Sequence, residues 1–176
     1  MKYYQPTGAD KIIFWIIGGF VVLILILIGF VARGESQGTK GGETIQKYET
    51  SDTDKPVVQV HENSKDIGRM NVKDERTTDF TIKNTGRRPL QLFNITSSCD
   101  CTAGQVTINS VKSPEFSMHD KREWSGTVNP GETATVSVVY RPQIMPVKGD
   151  ISRSVYVQTN DPKNDRLTFT IQTFVE

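Results

Sequence analysis

Residues Ile12–Ala32 read IIFWIIGGFVVLILILIGFVA, 21 residues without a charge, an Asn, a Gln or a Pro. As a helix rising about 1.5 Å per residue the run would be about 31 Å long, close to the ~30 Å hydrocarbon layer of a bilayer. Backbone polar groups inside lipid find no water, so such a run is stable there only as a helix. A buried helix of a small globular domain is rarely apolar on every face. The run therefore predicts a transmembrane helix over 12–32.

A secretory signal peptide would have a shorter apolar core and end in small residues. Here Phe30-Val31-Ala32 sets a bulky side chain where a small one is needed. The reading is an uncleaved, single-pass anchor. Residues 1–11 form a short head with Lys2 and Lys11, and Arg33, Lys40 and Lys47 lie beyond the run. The basic residues nearly balance across it, so they orient it weakly. The expected placement is the cytoplasmic membrane, with the head inside and the C-terminal part outside the cytoplasm.

Residues 33–55 are rich in Gly, Ser, Thr and charge, with Ile45 and Tyr48 as apolar anchors. Too little can be buried there to offset ordering. A flexible coil of this length has an r.m.s. span of about 26 Å, so the segment is expected to tether a domain without orienting it.

From Pro56 the pattern changes to short runs of period two. Val58 and Val60 alternate, as do Phe80 and Ile82, Leu90 and Leu92, Val106 and Ile108. The same holds for Ala134, Val136, Val138 and Tyr140, for Val155 and Val157, and for Leu167, Phe169 and Ile171. Alternation of this kind marks strands with one face in a core and one in water. Asn84-Thr85-Gly86, Asn129-Pro130-Gly131 and Asn160-Asp161-Pro162 fall between the runs as turns. No stretch after Pro56 carries a 3.6 period. The expectation for 56–176 is an all-β, two-sheet antiparallel sandwich of the immunoglobulin-like class, with seven to nine strands. A body of about 120 residues can build a core without staples.

The order of motifs is distinctive. Phe80-Thr-Ile-Lys-Asn84-Thr-Gly86 precedes Pro89-Leu90, then Ser98-Cys99-Asp100-Cys101-Thr102, Pro130-Gly131-Glu132, Val139-Tyr140, Gly149 and Thr159-Asn160-Asp161. Over about Ile67–Val175 the chain resembles the bacterial family known as domain of unknown function 1573. That resemblance implies an immunoglobulin-like fold similar to the hydin and major-sperm-protein group, and no established activity. Members often carry Gly between the two cysteines, where this chain has Asp100. The stretch from Thr102 to Pro130 is longer than the family minimum and contains Ser117-Met118-His119.

Cys99-Asp100-Cys101 is the one motif with chemistry. On a strand, residues i and i+2 point to one face, with their Cβ atoms too far apart for a relaxed disulfide, so a Cys-x-Cys disulfide would need a tight local turn. Three readings stay open: buried thiols that fill space, a redox-active pair, or a soft-metal site. In the last, Cys99 and Cys101 with Met118 and His119 would form a ligand set suited to Cu(I), Met145 being a further candidate.

Enzymatic signatures are missing. The chain has two histidines and no nucleophile elbow, H-E-x-x-H, Walker or dinucleotide glycine pattern. With 21 basic and 20 acidic residues the net charge is +1, so no basic field exists to hold nucleic acid. The expected function is a non-enzymatic binding or structural module held at the membrane. The expected partners are the membrane and another extracytoplasmic protein. Metal binding through Cys-x-Cys and thiol–disulfide chemistry are the alternatives.

Overall fold

The computed structural model describes Trp15, Ile17–Val21, Leu23, Ile24 and residues 44–176 apart from Arg122. The chain divides into two units, Met1–Gly38 and Thr39–Glu176.

In the first unit the eight described residues are helical, and Trp15, Phe20 and Leu23 expose their side chains. Most of the expected membrane span over 12–32 lies outside the described residues, as do the head (1–11) and the first part of the tether (33–43). Among the described residues no helix is long and apolar enough to cross a membrane.

The second unit is a sandwich of two five-stranded sheets. The strands are β1 (Val58–Val60), β2 (Ser64–Met70), β3 (Arg76–Asn84), β4 (Leu90–Ser97), β5 (Thr102–Ile108), β6 (Val111–Lys112), β7 (Ser125–Val128), β8 (Thr133–Tyr140), β9 (Gly149–Thr159) and β10 (Arg166–Val175). One sheet has the order β1-β3-β8-β5-β6 and the other β2-β10-β9-β4-β7. All seven runs of alternating residues are strands. In β3 the burial alternates strictly from Thr78 to Asn84, and in β10 Leu167, Phe169, Ile171, Thr173 and Val175 all face inward. Phe80 and Phe169 meet between the sheets, with ring centroids 5.2 Å apart.

Two expectations need correction. Among the described residues there are ten strands rather than seven to nine, because β2, β6 and β7 show no apolar alternation. In β2 the sequence is Ser-Lys-Asp-Ile-Gly-Arg-Met, a polar edge strand in which Gly68 adopts φ +73°. The sandwich is also not purely antiparallel. After β1 the chain leaves the first sheet, and β2 joins the second sheet parallel to β10.

Residues 44–55, the last part of the expected tether, lie on the sandwich. Gln46 N–H donates to Gln91 Oε1 at 2.7 Å, and Lys55 Nζ donates to the carbonyls of Thr50 and Asp52. They meet the end of the sandwich that carries the turns after β3 and β9. The β4–β5 turn and the β8–β9 connection lie at the opposite end.

Candidate functional site

The two cysteines occupy a turn, not a strand. β4 stops at Ser97 and β5 starts at Thr102. Thr102 N–H closes the turn on Cys99 O at 3.2 Å, and Ser97 Oγ donates to the same carbonyl at 2.7 Å. β9 holds the turn from the side: Ser98 N–H donates to Ser154 O at 2.9 Å and Ser154 N–H donates to Ser98 Oγ at 3.0 Å. The backbone bend brings the Cα atoms to 5.3 Å, and Cys99 and Cys101 are joined as a disulfide. The same-face geometry expected of a strand does not apply, because the chain reverses here.

The disulfide packs into the hydrophobic core and also touches polar groups. Arg153, on β9, donates Nε–H to Cys101 Sγ at 3.3 Å. Thr102 Oγ1 lies 3.3 Å from Cys99 Sγ. Arg141 N–H donates to Cys101 O at 2.8 Å. Cys99 is 8% exposed and Cys101 1%. Tyr140 pairs with Thr102 across β8 and β5. Its hydroxyl is buried and has no hydrogen-bond partner among the described residues. Burial pushes the phenol above its ordinary pKa, and the nearby charge of Arg153 opposes that rise.

The segment after Phe116 folds back onto the turn. His119 Nδ1 lies 3.0 Å from both carboxylate oxygens of Asp100. Ser117 N–H donates to Asp120 Oδ2 at 2.6 Å, and hydrogen bonds from Ser117 hold that carboxyl below its usual range. Arg141 forks onto Glu75 and Glu115, with Nε···Oε2 of 2.9 Å and Nη1···Oε2 of 2.8 Å. Hydrogen bonds from Glu115 and then Glu75 hold the guanidinium above its ordinary pKa. Ile144, Met145 and Val147 are exposed in the β8–β9 connection.

Of the four expected metal ligands, the structure gathers Cys99, Cys101 and His119 around one turn, with Asp100 as the link. Met118 is half-buried in the adjoining segment, and Met145 faces solvent. In this oxidised form the sulfurs are bonded to each other, so the pair of thiolates the metal reading needs is not present. Among the described residues no three His, Cys, Asp or Glu side chains are grouped to hold an ion. Arg153 was not legible in the sequence, since it stands 52 residues from Cys101.

A second feature is an open sheet edge. β2 pairs with β10 only from Thr170 onward, so among the described residues Arg166–Phe169 has no strand on the side away from β9. A groove of about 500 Å³ lies there, with Val58, Val60, Asn63, Leu167, Thr168 and Phe169 among its lining.

The model of the HYDIN/CFA65/VesB-like, Ig-like domain matches residues 56–173. No curated protein matches the chain. A protein of unknown function from Porphyromonas gingivalis W83 is similar in structure, with a TM-score of 0.51 at 17% identity over 69% of this chain and 48% of that one. The chain thus spans about half the length of that relative. The ASH/PapD-like domain 7 of human CEP192 aligns with a TM-score of 0.44 at 13% identity, covering 79% of this chain and 98% of that domain.

Proposed function

Because the chain belongs to the HYDIN/CFA65/VesB-like Ig-like domain family, we propose that it is a non-enzymatic binding or structural module, anchored by 12–32 and held outside the cytoplasmic membrane. The exposed apolar side chains of Trp15, Phe20 and Leu23 in the first unit support the anchor. The narrower resemblance, to domain of unknown function 1573, rests on the order of motifs alone. The observation that carries the binding role is the open edge of β10. Thr170 N–H donates to Asn63 O at 2.8 Å, away from β9. By the alternation of an antiparallel pair, the N–H of Thr168 points the same way, into the groove. An extended segment of a partner protein would add there as a strand.

The test uses the full chain in intact membranes. Membrane fractions should retain the protein after a carbonate wash, and cross-linking should capture a partner near β10. Thr168→Pro removes the outward N–H without touching the β9 ladder, and should abolish capture while leaving the fold intact. Recovery of the full chain in the soluble fraction would refute the anchor. Capture undiminished by Thr168→Pro would refute the edge.

A second reading, soft-metal binding, is favoured by one observation: Asp100 draws His119 to the cysteine turn. It requires the reduced protein. Cu(I) retained by the reduced chain and lost by Cys99→Ser/Cys101→Ser would support it. Equal metal in both would end it.

A further inference from the structure

We infer that the Cys99–Cys101 disulfide is a reversible exchange site for a protein dithiol, in which the incoming thiolate attacks Cys99 Sγ and Cys101 departs as a thiolate beside Arg153. This goes beyond the binding reading and stands without the membrane anchor.

The first argument concerns what the disulfide is not. Its cysteines are two residues apart. Closing so short a loop removes little freedom from the unfolded chain, so the bond does little as a staple. The turn is also held without it, by the hydrogen bonds of Ser97, Ser98, Thr102, Arg141 and Ser154. Opening the bond therefore leaves the backbone in place and the two sulfurs close enough to close again.

The second argument concerns direction. Exchange needs a reachable sulfur for the attack and a stabilised sulfur to leave. Both cysteines are buried, Cys99 (8% exposed) less completely than Cys101 (1%), so Cys99 is the residue nearer the surface. Cys101 is the one that accepts the Nε–H of Arg153 at 3.3 Å. A guanidinium there stabilises negative charge as it develops on Cys101. Asp100, the anion between the cysteines, is turned to His119 at 3.0 Å. The exposed Ile144, Met145 and Val147 give the same end of the sandwich an apolar rim for a protein substrate.

The step balances as follows. A partner thiolate forms a bond to Cys99 Sγ, the Cys99–Cys101 bond breaks, and its electron pair leaves on Cys101 Sγ. The partner's second thiolate then attacks its own sulfur in the mixed disulfide and expels Cys99, which takes a proton from water. The partner dithiol loses two electrons and becomes a disulfide, while Cys99 and Cys101 gain them. The reverse sequence re-oxidises the pair.

The test uses the full chain in detergent, with dithiothreitol and glutathione as probes and acid quenching before mass analysis. Native protein should be reduced by dithiothreitol without denaturant and re-oxidised by oxidised glutathione. Glutathione trapped during reduction should map to Cys99. Arg153→Gln should slow reduction by about tenfold through the poorer leaving group, with Arg153→Lys recovering part of the rate and both variants melting as wild type. The inference is overturned if the disulfide opens only in denaturant. It is equally overturned if glutathione maps to Cys101, or if a folded Arg153→Lys and Arg153→Gln both react at the wild-type rate.

Discussion

Asp161 Oδ2 accepts the backbone N–H of Val58 at 2.9 Å, joining the β9–β10 turn to the first strand across 103 residues. The same carboxylate accepts from Lys163 N–H at 2.9 Å and Asn164 Nδ2 at 3.0 Å, and Asp161 is 1% exposed. Its neighbour Asn160 accepts from Gln91 N–H at 2.9 Å, and Gln91 in turn holds residues 44 and 46. The turn thus ties the incoming chain to the sandwich.

Asp161→Ala leaves three donors without their acceptor, two of them backbone amides. Hydrogen bonds to a charged group contribute about 1.5–3 kcal/mol each, and their losses here overlap. The expected loss in urea unfolding is about 3 kcal/mol, and Asp161→Asn, which keeps one acceptor, should lose about half of that. Limited proteolysis of Asp161→Ala should cut first within 44–60. A loss below about 1 kcal/mol would mean that water replaces the carboxylate.

Gly86 marks the other anchoring point. A Cβ there would sit 2.4 Å from Lys55 O and 2.4 Å from Val57 N, both backbone atoms that cannot swing aside. Thr85 N–H donates to Val57 O at 2.8 Å and Arg87 N–H to Lys55 O at 3.1 Å, so the two segments lie edge to edge. Gly86→Ala should cost about 1–3 kcal/mol, the range of overpacked sites. Its melting temperature should fall further than that of Gly131→Asn, where the turn is open and the cost is the backbone strain of an Asn at φ +83° alone.

These two residues show what could be read from the sequence. Asn-Thr-Gly and Asn-Asp-Pro were legible as turns, because Gly, Asn and Pro favour them locally. Why those residues are needed was not, because Gly86 answers to Lys55 and Val57, and Asp161 to Val58. The seven alternating strands were legible because each has one face in the core. β2 was not, since an edge strand with Lys65, Asp66 and Arg69 shows no apolar face. For Cys99 and Cys101 the residue types drew attention to the right place, and the spacing allows a disulfide only if the chain makes a tight local turn, which it does. His119 could be named beside the cysteines from the sequence, whereas folding alone brings Arg153 to that turn.

Arg141 offers a test of charge at the cysteine end. It bridges Glu75 and Glu115 by four contacts of 2.8 to 3.2 Å, from elements far apart in the chain. All three groups keep some water contact, so solvent screens the network. Arg141→Met should cost about 1 kcal/mol, and Arg141→Lys should recover less than half, because an ammonium cannot fork onto two carboxylates. Raising the salt concentration should narrow the gap between wild type and Arg141→Met. A gap independent of salt would assign the loss to packing of the side-chain stem.

Tyr140 ends the longest apolar run of the first sheet with a hydroxyl that has solvent access nowhere and a hydrogen-bond partner nowhere among the described residues. Burying such a group costs free energy that Phe would not incur, so Tyr140→Phe should be neutral or stabilise by up to about 1 kcal/mol near neutral pH. Burial also raises the folded-state pKa of the phenol above the value near 10 of an exposed tyrosine. Above that value the unfolded chain releases the proton while the folded protein keeps it, so stability is complete below it and falls as pH rises further. The loss continues until the pH passes the folded pKa. Urea unfolding between about pH 7 and pH 11 should therefore show wild type losing stability more steeply than Tyr140→Phe. Equal slopes would mean that Tyr140 ionises in the folded protein as readily as in the unfolded one, with the charge of Arg153 compensating for burial.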